Sequence, residues 1–374
     1  MRLRPVWAEV DLQAVAHNIR EFRRLTGPQK FICAVVKANA YGHGAVEVSK
    51  VALSEGVDYL AVAIIEEAQE LREAGIKAPV LIFGFTDPEL AEDIIRENLT
   101  QTIFRYDLAK AMSDAAVKAG KTGKIHIKID SGMGRVGFLP GPEALETIKA
   151  IAGLPNIVIE GIYTHFASSD ETDKSYTLKQ LKTFLELIDR LEEVGIHIPI
   201  KHAANSAAII DLPETHLDMV RLGVSLYGMY PSEEVNKQKI DLKPAMALKA
   251  KIVQVKDIKS GAGVSYGLTW KSEKETSVAS LPLGYADGFT RLLSNKGEVL
   301  IHGQRAQIIG RVCMDQCLVD ISHISGVLVE DEVVLMGAQE GSVIRAEELA
   351  DKIGTINYEI VCMISNRVPR IYIR

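Results

Sequence analysis

From Phe31 to about Tyr227 the chain alternates short β-branched runs with longer segments of helical period, and this alternation constrains the fold more than any other feature. Strands that are apolar on both faces must be covered by helices, as in repeated β/α units around a parallel sheet. The expected strands are Phe31–Lys37, Asp58–Ala63, Pro79–Gly84, Gln101–Phe104, Lys124–Ile129, Ile157–Thr164, Ile198–His202 and Met219–Leu226. Helices are expected over Ala45–Glu55, Glu66–Ala74, Pro88–Glu97, Asp107–Ala119, Pro142–Ile151, Asp173–Val194 and Ser206–Leu212, with Gly56, Gly75, Gly120 and Gly195 as stops. Eight strands with interleaved helices predict a closed (β/α)8 barrel.

The texture changes after Pro231. Ser232–Lys239 is polar, and from Ala245 strands follow one another: Leu248–Lys256, Ser277–Pro282, Gly297–His302, Gln307–Val312, Cys317–Ile321 and Glu332–Gly337, then a helix over Arg345–Ile353 and a last strand over Arg367–Arg374. The expected fold class is α/β plus β, with a (β/α)8 barrel over residues 1–239 and a mainly β domain over 240–374. Val6–Leu12 alternates like a strand ahead of the first β/α unit; it either opens the barrel domain or pairs with the C-terminal one.

Charge and composition exclude several classes of function. Lys+Arg number 43 against 49 Asp+Glu, a net charge of -6 with no basic cluster, so no nucleic-acid partner is expected. Glu9 and Asp11 interrupt the start before a signal-peptide core can form, and no later apolar run reaches bilayer length; neither export nor a membrane is expected. Cys33, Cys313, Cys317 and Cys362 contain no C-x-x-C, so the expectation is buried free thiols in a reducing cytoplasm, with no metal site.

In a β/α barrel, reactive groups come from the carboxyl ends of strands. Lys37 ends the apolar run Ile32–Val36, so burial can favour its neutral amine, able to form a Schiff base or accept a proton; alternatively it snorkels from the strand end to water. Gly132-Met133-Gly134-Arg135-Val136-Gly137 fits the G-x-G-x-x-G dinucleotide fingerprint after a strand. Pro140 and Gly141 follow where a helix should open, so the glycines are read as a tight loop that aims Arg135 inward.

Val36-Lys37-Ala38-Asn39-Ala40-Tyr41-Gly42-His43-Gly44 resembles the signature around the cofactor lysine of alanine racemases. Further similar stretches follow in the family's order: Lys128–Gly137, His202–Ser206, Val220–Gly223, Ser265–Gly267, Leu283–Gly288 and Gly310–Asp315. The resemblance implies an enzyme that uses pyridoxal 5'-phosphate (PLP), a barrel followed by a β domain, and a homodimer with shared sites that supplies D-alanine for peptidoglycan. It implies that Lys37 holds the cofactor, and that Tyr41, Ser206, Gly223, Val224 and Tyr358, with Asn205 beside them, hold its phosphate. Taken alone, Ser206 equally caps the next helix and Gly223 permits close packing.

Arg221 matches the arginine that faces the pyridine nitrogen in this family, where related decarboxylases place a carboxylate; the bland alternative is an ion pair with Asp218 or Glu214. Racemisation by two bases needs groups on opposite faces of a planar carbon, and the resemblance assigns Lys37 and Tyr266. His165, linked to Arg221, is the implied tuner of Tyr266, although alone it reads as a core histidine. The resemblance further implies that Arg135 and the Met314 backbone bind the small amino-acid substrate's carboxylate, that Tyr285 narrows access, and that Lys128 is carbamylated in some members. Tyr266 and Met314 lie beyond the barrel and are expected from the partner subunit. Competing readings are a serine or broad-specificity racemase, a barrel PLP decarboxylase and a non-catalytic PLP-binding protein.

Overall fold

The computed structural model describes residues 4–374. Strand β1 (Val6–Asp11) and a helix over Leu12–Thr26 precede a closed parallel barrel of β2 (Phe31–Val35), β3 (Tyr59–Val62), β4 (Val80–Ile82), β5 (Thr100–Ile103), β6 (Gly123–Lys128), β7 (Ile157–Tyr163), β8 (Ile200–His202) and β9 (Met219–Leu222). β9 returns to pair with β2, which closes the ring. The fold class is thus the one the alternation implies. Each connection carries a helix whose apolar stripe faces the sheet; in Ser175–Glu193 the buried Leu181, Phe184, Leu187, Ile188 and Leu191 recur at helical spacing. Tyr106–Ala119 stops where Gly120 adopts a left-handed conformation (φ 62°).

The helix over Leu12–Thr26 was not among the expected elements, although its buried Val15, Ile19 and Phe22 stand on one face. After β9 the barrel has only a 3-10 turn over Val224–Tyr227, where the sequence suggested that the strand continued to Leu226. The early helix is tied to that exit. Buried Asn18 donates to the carbonyls of Leu226 (3.2 Å) and Lys243 (2.9 Å) and accepts from the Lys243 N–H (2.8 Å).

The second unit is a sheet in the order β11-β14-β17-β16-β15-β18-β10-β1-β20, built from β10 (Met246–Lys251), β11 (Gln254–Ile258), β14 (Thr276–Leu281), β15 (Glu298–Ile301), β16 (Gln304–Ile309), β17 (Cys317–Asp320), β18 (Glu332–Gln339) and β20 (Arg370–Ile373). A hairpin of β12 (Gly263–Val264) and β13 (Trp270–Lys271) stands apart from it, and β19 (Ser342–Ile344) pairs antiparallel with the end of β18. β1 pairs antiparallel with β10 and parallel with β20. The run expected as one strand over Leu248–Lys256 is two, β10 and β11, and the helix Asn357–Cys362 was not expected. Of the four cysteines, none in a disulfide among the described residues, Cys33 and Cys317 are buried, Cys313 is half-buried and Cys362 is exposed, which corrects the expectation of four buried thiols. Among the described residues no helix is long and apolar enough to cross a membrane.

Asn18→Ala leaves buried backbone groups at Leu226 and Lys243 without partners, so it should cost about 2–4 kcal/mol of stability, read from chemical denaturation. An unchanged midpoint would show that the helix is not held by this residue.

Candidate active site

β2 delivers Lys37 half-buried at its carboxyl end, and the chain then does something rare for L-residues: Ala38, Asn39, Ala40 and Tyr41 all have φ near +52°. Each such residue costs roughly 1–2 kcal/mol, so the turn needs external restraint. Glu67 provides it by accepting from the N–H groups of Ala38 (2.6 Å) and Ala63 (2.8 Å), and Asn39 accepts from the Ala45 N–H (2.8 Å).

At the end of β9 the Arg221 guanidinium is buried inside the barrel. Its Nη1 donates to His202 Nδ1 (2.9 Å); its Nη2 donates to the carbonyls of Thr164 (2.9 Å) and Ala203 (2.8 Å) and meets His165 Nδ1 (3.1 Å). The ion pair with Asp218 or Glu214 is not made: Asp218 accepts from the Lys201 N–H instead. Among the described residues nothing engages Nε. Burial pushes Arg221 down to about 10, which leaves it cationic at neutral pH. Burial and the Arg221 charge hold His165 and His202 well below the usual imidazole range, so both are neutral.

Lys128, buried on β6, donates to the Ile129 carbonyl (2.8 Å) and lies over the Tyr163 ring. Burial first and Arg221 second push its amine down to about 7. The segment with the dinucleotide-like glycines is a loop wrapped around one carboxylate. Asp130 accepts from the N–H groups of Gly132 (3.0 Å), Met133 (2.8 Å), Gly134 (3.0 Å) and Arg135 (3.0 Å). A side chain at Gly137 would come within 2.5 Å of the Asp130 nitrogen. The loop is tight as expected, but Arg135 stands exposed on it rather than aimed inward.

Asn205, rather than Ser206, caps the helix Ser206–Asp211, accepting from the Ala208 N–H (3.1 Å) and from the Ser169 hydroxyl (2.8 Å). The Ser206 hydroxyl accepts from the Gly223 N–H (3.0 Å), which brings the ends of β8 and β9 together beside Val224.

Tyr41 packs with the β unit, its ring centroid 6.2 Å from that of Tyr358. In the same unit three loops converge. Tyr266 sits on the β12–β13 hairpin, whose Val264 and Trp270 pack against Val278 and Ile309. The Ser265 hydroxyl donates to the Arg311 carbonyl (2.6 Å), while the N–H groups of Tyr285 and Ala286 donate to the carbonyls of Cys313 and Met314 (3.0 Å each). Gly284 is obligatory there, because a Cβ would lie 2.0 Å from the Cys313 oxygen. Tyr266, Tyr285 and Met314 are therefore presented as one rigid cluster, and all three are exposed, Tyr266 at 73%.

The family model for the alanine racemase N-terminal domain matches residues 10–231, and that for the C-terminal domain matches 245–372. The chain belongs to the alanine racemase family. The alanine racemase of Desulforamulus reducens is 54% identical over 99% of both chains, and that of Clostridium perfringens 54% identical over 99% of this chain and 96% of the relative. Among solved structures, the alanine racemase of Clostridium difficile superposes with a TM-score of 0.95 at 45% identity over 100% of this chain and 97% of the other. The enzyme of Bacillus anthracis with bound L-Ala-P gives 0.95 at 39% over 100% and 96%. The chain is accordingly an isomerase acting on amino acids.

Sequence reasoning overlooked Asp130, Glu67, His126 and His202 as contributors. Asp130 had a local signal: an Asp before a glycine-rich run is a strong turn residue. Asp130→Ala removes a carboxylate that receives four N–H groups, and amide hydrogen exchange at residues 132–135 should rise by about 10- to 100-fold. Unchanged exchange would mean that the loop is shaped without it.

Proposed function

We propose that this chain interconverts L- and D-alanine with PLP, using Lys37 and Tyr266 as bases on opposite faces of the substrate. The observation that carries the reading is the buried Arg221, a group of donors only, with every partner on Nη1 or Nη2 and Nε left over. Whatever meets Nε must accept, as an unprotonated pyridine nitrogen does. Arg221 stands where the decarboxylase reading expects a carboxylate, and among the described residues no carboxylate is hydrogen-bonded there.

The residues fit the cofactor in other respects. Lys37 would hold its aldehyde carbon; Ser206, Gly223, Val224, Tyr41 and Tyr358, with Asn205 beside them, would hold its phosphate. Bound there, the cofactor withdraws electrons from the carbon that loses its proton. Lys37 would take or return a proton on one face and Tyr266 on the other, with His165 relating Tyr266 to Arg221. Arg135 and the Met314 N–H would orient the substrate carboxylate, and Tyr285 would limit side-chain size. The near-neutral amine of Lys128 favours carbamylation, since only an uncharged amine attacks carbon dioxide. Thiols rather than disulfides at Cys33, Cys313, Cys317 and Cys362 suit a reducing compartment, and we assign the enzyme to the cytoplasm.

The exposure of Tyr266, Tyr285 and Met314 supports a homodimer in which the partner's loop cluster completes each site. Purified protein should carry the visible absorbance of bound cofactor and abolish the optical rotation of L-alanine, and Lys37→Ala should lose both. Normal turnover by Lys37→Ala, or faster turnover of serine than of alanine, would overturn the assignment.

Lys37→Ala and Tyr266→Phe chains, each inactive alone, should regain activity when mixed under conditions of subunit exchange, because a mixed dimer has one site with both bases. Absence of rescue despite demonstrated exchange would place both bases on one chain.

A further inference from the structure

A line of buried side chains leads away from Arg221 to the opposite part of the barrel, and the reaction proposed above makes no use of it. His202 receives the Arg221 Nη1 donor at Nδ1 (2.9 Å), and its Nε2 lies 3.0 Å from His126 Nδ1. His126 Nε2 has one neighbour of opposite character, Glu160 Oε2, at 3.6 Å, and Glu160 Oε1 accepts from Lys124 Nζ at 2.9 Å. Thr100 and Tyr59 also face the carboxylate. Both imidazoles are fully buried.

The chain has only one self-consistent polarity. Arginine can only donate, so His202 Nδ1 must be bare and its Nε2 must carry the proton. That proton points at His126 Nδ1, which must accept, so His126 carries its own proton on Nε2, which faces Glu160 Oε2 as an electrostatic neighbour at 3.6 Å, beyond hydrogen-bond length. A carboxylate anion can only accept, and it closes the series. The two ends are fixed charges of opposite sign and the two rings between them are neutral. Burial would raise Glu160, but His126 and Lys124 outweigh it and hold the carboxyl at about 2. Burial keeps His126 below the usual imidazole range.

Two features of the backbone serve this line. β6 and β7 slip register between Ile125, opposite Ile159, and His126, opposite Gly161, so Glu160 is the extra residue of a β-bulge, a device that re-aims a side chain. Gly161 then makes room, since a Cβ there would lie 2.5–2.8 Å from three atoms of the His126 ring. Tyr163 stacks on His202 with centroids 4.6 Å apart and fixes the plane of that ring.

We propose that Glu160 is a positioning residue for the reaction: it fixes the tautomers of His126 and His202 so that His202 presents a lone pair to Arg221, holding the guanidinium in place and charged. Its effect on turnover rests on the racemase reading; the tautomer order does not. If the order were reversed, two N–H groups would confront each other at the Arg221–His202 contact, and the guanidinium would have to move.

The test uses the full-length holoenzyme labelled with 15N at histidine. Wild type should show His126 and His202 each protonated at Nε2 and bare at Nδ1. Glu160→Gln keeps the shape but supplies an amide that can donate to His126 Nε2, so both rings should show mixed tautomers. Its kcat for alanine should fall roughly tenfold, as expected of a partner one step removed from a reacting group, with KM within about twofold. Lys124→Met breaks the same ion pair from its exposed end and serves as the control; it should lower Tm while leaving the ring spectra and kcat as in wild type. A proton on His202 Nδ1 in wild type overturns the proposal, and this holds even if Glu160→Gln fails to fold. So does a Glu160→Gln enzyme with wild-type spectra and kcat, or a Lys124→Met enzyme that loses kcat equally. A wild-type protein with the expected tautomers but no alanine turnover would instead sink the racemase reading alone.

Discussion

The Arg221 guanidinium sits inside the barrel, and among the described residues no carboxylate is hydrogen-bonded to it. Burying an unpaired charge is expensive, and here the cost is offset by two carbonyl oxygens and two imidazole lone pairs, all drawn from the carboxyl ends of β7 and β8 or the residues that follow them. The surrounding groups share its burial. His165 and His202 stay neutral, Lys128 is pushed towards neutrality, and the buried Tyr163 phenol, raised to about 12 chiefly by burial, stays protonated. Burial thus sets the protonation of these groups, and the Arg221 charge adds to it at the two imidazoles and the lysine while opposing it at Tyr163.

Much of this was legible along the chain because it depends on local pattern. β-branched runs and intervening helical stretches announced the barrel, and the place of Lys37 at the end of a buried run followed from the same alternation. The link between His165 and Arg221 came from family resemblance, and the two side chains do meet at 3.1 Å. What escaped depends on contacts between residues far apart. Nothing near Glu67 says that its carboxylate restrains a turn almost thirty residues earlier, and nothing near Glu160 says that β7 bulges there, because a bulge is defined by the register of a neighbouring strand. The helix over Leu12–Thr26 is a different case: its periodicity was present, but the alternation of Val6–Leu12 drew the reading towards a strand.

The loops of the β unit show how backbone hydrogen bonds can do the work of a scaffold. Tyr266, Tyr285 and Met314 come from three separate connections, yet main-chain bonds and a glycine with no room for a side chain lock the three together. Side chains held in this way keep their spacing when a neighbouring surface changes, which suits groups offered outward.

The left-handed turn after Lys37 also bears on how such a barrel can be divided. Its four unfavourable residues are stabilised by Glu67, which belongs to the following β/α unit and bonds at once to Ala38 and to Ala63. A fragment that ends before that unit would contain the lysine but not its restraint, and the turn would relax into ordinary right-handed or extended backbone. The backbone that follows Lys37 is therefore not the property of one strand. Shuffling barrel units between homologues must keep the first two together, because units from different parents can lose the match between the Lys37 turn and the residue that shapes its backbone.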